Sequence, residues 1–473
     1  MKRIVWIGFF YMWSCCAGAS GHLPQPIKQA LSTHHLPAEA LSIYMQSFNS
    51  NKPLWVYQPD IPRSPASTMK LITTYAALEL LGPAYRWRTV LATTAPIKEG
   101  VLQGDLYIKG YGDPKLTTEH IYMLLKALRD QGIQKIKGDL ILDRTWFKAQ
   151  PEEPAFDATP ERAYNVAPDA LIFNFNAVNV TAKSDKDQVI LDMDPPLPCI
   201  SLNNVLKVSH DKCAQAELPR PLIAEMIAGG VNVQFAGSFP ANCLVSRYYQ
   251  FIAPPHYVGN FFALTWQALG GIWQGRVREG ILPVQAKVLY THYSPDLVNV
   301  IRDINKFSNN TMARLVYLTL GAEQQASLSA SEEQVLRWLH RTGFSPASFV
   351  IENGSGLSRK ARISAALLGQ LIHKVMQSPY ASEWESSLPI VGVDGSMKTR
   401  LSDHAIAGSA HIKTGSLDGV RAIAGTITGK NGKKAVIVAM LNQPDTEIGA
   451  EVLDEVLKYG WERLEQSAEK LYS

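Results

Sequence analysis

Short runs of alternating apolar and polar residues lie near both ends of the chain. Leu41 to Phe48 and Leu54 to Tyr57, parted by the turn-forming Asn49-Ser50-Asn51-Lys52-Pro53, predict a β-hairpin. His411 to Leu417, Arg421 to Thr428 and Lys434 to Leu441 predict three more strands, joined at Asp418-Gly419 and Asn431-Gly432, dipeptides that favour tight hairpin turns. The pattern changes after Pro62 and Pro65. From Ser67 to Leu81 apolar residues dominate and Gly82-Pro83 follows, which predicts a buried helix with a sharp stop. Helical spacing returns over Pro295 to Gly321 and Ser331 to His340, and a long amphipathic helix is expected over Glu447 to Lys470. Hairpin and meander together predict one five-stranded antiparallel sheet flanked by helices, an α+β domain.

Residues 91–285 have a different texture. Alternating runs such as Leu102 to Ile108, Ile136 to Asp143 and Val189 to Leu191 stand among loops rich in Pro, Asn and Asp. They predict a β-rich insertion with two subdomains, the nested one over residues 165–245. The insertion would divide the α+β domain into residues 20–90 and 286–473.

With 473 residues, 46% hydrophobic and 19% charged, the chain is long enough for several packed units, and its composition excludes extended disorder, collagen and polytopic membrane classes. Its formal charge is only +4 and no Lys/Arg-rich run occurs, which argues against a nucleic-acid partner. Residues 1–19 read as a secretory signal: Lys2-Arg3, an apolar stretch from Ile4 to Trp13, then Ala17-Gly18-Ala19. That stretch is too short to cross a hydrocarbon core of ~30 Å as a helix. Loss of Lys2 and Arg3 would leave 44 basic against 42 acidic residues, +2. Three cysteines would remain in the exported chain, Cys199, Cys213 and Cys243. An oxidising compartment permits one disulfide among them, and the spacing does not choose the pair.

Candidate chemistry begins at the start of the buried helix. Ser67 and Lys70 lie three residues apart, one turn along the same face. A serine hydroxyl is a weak nucleophile until a base takes its proton, and a lysine can do so once desolvation or neighbouring cations leave it neutral. Ser-x-x-Lys alone is cheap, since Ser209–Lys212 and Ser467–Lys470 match as well. Two further elements add weight. Ser308-Asn309-Asn310 offers a hydroxyl to relay a proton and an amide to hold a lysine and a substrate carbonyl. Lys413-Thr414-Gly415-Ser416, on a strand expected at a sheet edge, offers a cation for a carboxylate. There Gly415 would let a substrate backbone approach, and the Ser416 N–H could point into the cleft. Ser-x-x-Lys, Ser-x-Asn and Lys-Thr-Gly in this order form the signature set of penicillin-binding proteins and serine β-lactamases.

With those residues, the chain resembles the peptidase S13 family of D-alanyl-D-alanine carboxypeptidase/endopeptidases, the low-molecular-mass class C penicillin-binding proteins. Gly110-Tyr111-Gly112-Asp113-Pro114 and Gly354-Ser355-Gly356-Leu357-Ser358-Arg359 also match segments of that family. The 241 residues between Ser67 and Ser308 leave room for its large insertion. A class A β-lactamase has a shorter interval and a deacylating glutamate, and a class C β-lactamase usually has Tyr where Ser308 stands. Three departures occur: Asn353 where the family has aspartate, Arg314 after Ala313 where it often has glutamate, and Asp418 where Gln is common.

The resemblance implies a β-lactamase/transpeptidase-like fold and a hydrolase with no cofactor or metal. Ser67 would form an acyl-enzyme with Lys70 as base, and the oxyanion would lie between the N–H groups of Ser67 and Ser416. Ser308 and Asn310 would pass a proton and hold Lys70, while Lys413, with Thr414 and Ser416, would bind the terminal carboxylate and Gly415 would lie against the substrate backbone. Asp143 would take the amine of a diamino acid and Arg359 a nearby carboxylate. The implied partners are peptidoglycan stem peptides and crosslinks in the periplasm, with β-lactams as inhibitors. Peripheral membrane contact and a homodimer are left open.

Overall fold

The computed structural model describes residues 22–148, 156–226, 230–322, 326–345, 347–444 and 449–469. The expected leader at residues 1–19 lies outside them, as do residues 447 and 470 of the last helix. The main sheet has five strands: β1 (Leu41–Ser47), β2 (Pro53–Tyr57), β3 (Ala410–Leu417), β4 (Val420–Thr428) and β5 (Lys434–Asn442), in the order β3-β4-β5-β1-β2 and antiparallel throughout. Each strand lies within one or two residues of its expected place. Gly419 and Gly432 take positive φ in the two tight turns, the backbone state that favours glycine there.

Both faces of this sheet are covered, which is why β5 is apolar at nearly every position rather than alternating. Its Val436, Val438 and Met440 join a core formed with helices Lys70–Leu81, Leu297–Phe307, Asn310–Leu320, Leu328–Arg341 and Ala365–Val375. The intervening Ala435, Ile437, Ala439 and Leu441 pack against helices Gln25–Thr33 and Ala450–Glu469.

The chain leaves this domain through Arg88–Thr93 and returns through Lys287–Tyr293, and these two strands pair antiparallel with each other. The junction is also fastened by hydrogen bonds from Trp87 N to Ser294 Oγ and from Ser294 N to Trp87 O, each 2.9 Å. Entry and exit therefore stand side by side, the geometry that lets a long insertion be carried without opening its host. The strands at the junction belong to a mixed sheet in the order Val277–Glu279, Leu140–Asp143, Leu106–Gly110, Arg88–Thr93, Lys287–Tyr293, backed by helices Thr118–Asp130 and Pro254–Ala268. The run expected over Ile136 to Asp143 is broken into Lys135–Ile136 and Leu140–Asp143. At the break, Gly138 packs so closely that a Cβ would lie 2.3 Å from the Gly104 carbonyl carbon.

Two three-stranded sheets between Val178 and Tyr249 continue the insertion. There a disulfide joins Cys213 to Cys243, and among the described residues Cys199 is the free thiol, its pKa pushed up by burial. Among the described residues no helix is long and apolar enough to cross a membrane.

Candidate active site

Ser67 does not lie in the α-helix itself but in a 3-10 turn, Ala66–Met69, that leads into helix Lys70–Leu81. Ala66, just before it, takes φ +46°, a left-handed state unusual for a residue with a side chain. Two glycines crowd this turn. A Cβ on Gly356 would lie 1.8 Å from the Ala66 carbonyl oxygen, and one on Gly415 would lie 2.6 Å from the Pro65 oxygen and 3.1 Å from Ser67 N. The expectation for Gly415 is thereby corrected. The space freed by its missing side chain is filled by the backbone of residues 65–67, so the glycine seats the edge strand against the Ser67 turn instead of admitting a substrate backbone.

Lys70 is fully buried. Its Nζ stands 2.9 Å from Ser67 Oγ, 2.7 Å from Asn310 Oδ1 and 2.7 Å from the Ser355 carbonyl. Burial, then repulsion by Lys413 and Arg314, holds its pKa well below the usual lysine range. A neutral amine has two N–H bonds and one lone pair. The Asn310 and Ser355 oxygens can only accept and so take both N–H groups, which leaves the lone pair facing the Ser67 hydroxyl. Ser67 itself is half-buried.

The Ser-x-Asn element divides its labour. Ser308 closes helix Leu297–Phe307 in the left-handed state (φ 58°, ψ 34°), and Asn309 caps the next helix by accepting from Met312 N at 3.0 Å. The middle residue thus does the capping and the outer two are free for chemistry. Asn310 reaches Lys70, and Ser308 Oγ accepts from Lys413 Nζ at 2.9 Å. Lys413, on the edge strand β3, is also fully buried and donates to the Thr414 carbonyl at 2.9 Å. Burial pushes its pKa down to about 7. Thr414 Oγ1 lies 2.9 Å from Ser396 Oγ, and Ser416 is exposed beside it. Ser67, Lys70, Ser308, Asn310, Lys413, Thr414 and Ser416 are therefore gathered in one place from three stretches of chain.

Asp143 lies between Leu142 and Arg144, which line the same cavity as Arg359, but its carboxylate is already engaged within the insertion. Its side chain has no exposed surface. The carboxylate accepts from Lys109 Nζ at 3.0 Å, Thr145 N at 3.0 Å, Thr145 Oγ1 at 2.6 Å and Leu282 N at 2.8 Å. Burial raises its pKa, but these hydrogen bonds outweigh burial and hold it below the usual range. It is a structural anion that ties three insertion segments together. Arg359 is about half exposed, donates to the Asp418 carbonyl at 2.9 Å and lies 4.5 Å over the Phe156 ring. It stands on the wall of a cavity of about 1280 Å³ between the insertion and the main domain. Arg314 lines the same cavity and donates to the Val166 carbonyl at 3.2 Å.

Two contributors were not assigned from sequence. Ser355 holds Lys70 through its backbone oxygen, and the signal available was only the Gly354-Ser355-Gly356 run. The Tyr164 carbonyl accepts from Asn310 Nδ2 at 3.1 Å and has no sequence signal at all. Among the described residues no group of three or more His, Cys, Asp or Glu side chains could hold a metal ion.

Comparison with known proteins gives a consistent set of matches. A family model described as the D-Ala-D-Ala carboxypeptidase 3 (S13) family matches residues 23–459. A D-alanyl-D-alanine carboxypeptidase of Actinomadura sp. (strain R39) is 30% identical over 398 residues, 78% of this chain and 72% of that protein. The D-alanyl-D-alanine carboxypeptidase DacB of Haemophilus influenzae is 25% identical over 417 residues, 84% of each chain. The crystal structure of penicillin binding protein 4 (dacB) from Haemophilus influenzae superposes with a TM-score of 0.75 at 24% identity, covering 94% of this chain and 99% of that one.

Proposed function

The chain belongs to the D-Ala-D-Ala carboxypeptidase (S13) family and is a serine peptidase, and from this premise we propose that it cleaves D,D-peptide bonds of peptidoglycan through an acyl-enzyme on Ser67. The observation that supports this assignment of roles is the pair of contact sets Ser67–Lys70–Asn310 and Lys413–Ser308, which fits a nucleophile beside its base with a second lysine close by.

Lys413, with Thr414 and Ser416, takes the terminal carboxylate of the stem peptide. Ser67 Oγ attacks the carbonyl between two D-alanines as its proton passes to Lys70 Nζ. The oxyanion lies between the N–H groups of Ser67 and Ser416, and each such donor contributes about 3 kcal/mol to the transition state. As the C–N bond breaks, the proton returns from Lys70 to the departing amine by way of Ser308. Water then attacks the ester as Lys70 takes its proton, Lys70 returns that proton to Ser67 Oγ as the ester C–O bond breaks, and the shortened peptide leaves with a new carboxylate. The leaving amine belongs to D-alanine in the carboxypeptidase reaction, and to the partner stem in cleavage of a D,D-crosslink.

A β-lactam presents a similar carbonyl and carboxylate, so it acylates Ser67 and departs slowly. The pattern of residues 1–19 supports export and action in the periplasm. The test is labelling with fluorescent penicillin. Wild type should carry one stable adduct per chain, and Ser67→Ala none. Equal labelling of the variant removes Ser67 from the mechanism, and rapid penicillin turnover without an adduct identifies a β-lactamase instead. Release of D-alanine from a pentapeptide distinguishes an active enzyme from a wall-binding protein that has lost turnover.

A further inference from the structure

The Asn310 amide has two chemically different ends, and the reaction needs one of them turned toward Lys70. Its Oδ1 accepts from Lys70 Nζ at 2.7 Å, and its Nδ2 donates to the Tyr164 carbonyl at 3.1 Å. A carbonyl oxygen only accepts, so Tyr164 selects the NH2 end and leaves the oxygen to the lysine. Turned over, the amide would donate into the Lys70 lone pair and occupy the base that must receive the Ser67 proton.

Tyr164 belongs to the insertion, and its backbone is held by a compact knot around Asp157. That carboxylate accepts from the Tyr164 hydroxyl at 2.6 Å, Thr159 Oγ1 at 2.7 Å, Thr159 N at 2.9 Å and Asn165 Nδ2 at 3.1 Å. Burial opposes the charge, but the hydrogen bonds outweigh it and hold the carboxyl down to about 2, so the knot is intact at neutral pH. A second fastener lies two residues on. Arg314, one helical turn beyond Asn310 on the same face, donates to the Val166 carbonyl at 3.2 Å. Helix Asn310–Leu320 thus grips the 164–166 segment at two carbonyls.

We propose that Asp157 is a positioning residue for the reaction: through Tyr164 it fixes the orientation of the Asn310 amide, so that the insertion completes the base machinery of the main domain. The inference rests on Ser67 acting as nucleophile and Lys70 as base.

The test follows the time course of fluorescent-penicillin labelling of the full chain, reading rate and final stoichiometry separately. Asp157→Ala should slow labelling by about tenfold, the equivalent of one lost hydrogen bond in the transition state, while still reaching one adduct per chain. Asp157→Asn, which keeps an acceptor for Thr159 and Asn165, should recover most of the rate. An unchanged rate in Asp157→Ala overturns the proposal. So does a fall in stoichiometry with the rate of the remaining fraction unaltered, because that reports loss of folded protein and no effect on the base. If Asp157→Ala does not fold, Tyr164→Phe removes the two bonds of the phenol to the knot, to Asp157 at 2.6 Å and to Thr159 Oγ1 at 2.8 Å. It should slow labelling a few-fold at full stoichiometry, and an unchanged rate again overturns the proposal. A wild-type chain that takes no label would instead refute the role of Ser67.

Discussion

Two fully buried lysines share one pocket, and the proposed mechanism needs them in opposite charge states. In the proposed mechanism Lys70 acts as a base only when unprotonated, and burial with two neighbouring cations lowers its pKa toward that form. The carboxylate-binding role proposed for Lys413 needs the cation, and burial brings its pKa down to about 7. The signs follow directly. As pH falls, Lys70 takes up a proton and acylation is lost. As pH rises through about 7, Lys413 gives up its proton and carboxylate binding is lost. The expected kcat/KM for a D-Ala-D-Ala peptide is therefore bell-shaped, with an alkaline limb near 7. In kcat that limb should move upward, because a bound carboxylate stabilises the lysine cation. Measuring D-alanine release across pH checks this, and a kcat/KM still rising above pH 8 would contradict it. These lysines were legible in the sequence because their spacing and order carry the signal. Asp143 was not, because its partners Lys109 and Leu282 come from distant strands and loops that local sequence does not join to it.

At the level of elements, the site depends on backbones that touch. Gly356 holds φ +77° against the Ala66 carbonyl, with no room for a methyl group. Gly356→Ala should lower stability by about 2 kcal/mol or more, through left-handed strain added to the clash, and should displace the Ser67 turn. Thermal unfolding reads the first effect, and loss of penicillin labelling at a temperature where the variant is folded reads the second. The main sheet was legible because turn dipeptides and apolar runs are local features, and they marked β3, β4 and β5 within a residue or so. The break between the Leu297–Phe307 and Asn310–Leu320 helices was hidden inside a continuous helical pattern. It arises at Ser308, whose left-handed backbone brings its hydroxyl to Lys413. The insertion was the least legible part. Its parallel pairings, Leu106–Gly110 with Leu140–Asp143 and Leu140–Asp143 with Val277–Glu279, join stretches with no turn between them.

For the whole molecule, the insertion and the main domain meet in a cavity whose wall includes Arg314, Arg359 and Asn165. Stability within the insertion rests partly on the Cys213–Cys243 bridge, which closes a loop of 30 residues. By loop-closure entropy such a bridge contributes about 3–4 kcal/mol. The double variant Cys213→Ser, Cys243→Ser should therefore unfold earlier on heating, and wild type in reductant should shift by a similar amount. An unchanged transition in both would show that the nested sheets hold without it.

The main sheet draws β1 and β2 from early in the chain and β3 to β5 from late in it, with the whole insertion between. A growing polypeptide thus carries Ser67 long before it carries Lys413, while the insertion, whose two ends pair with each other, is free to condense in the interval. Nascent chains should stay silent toward penicillin until the final meander emerges. The enzyme comes to life as one of the last events of its own biogenesis.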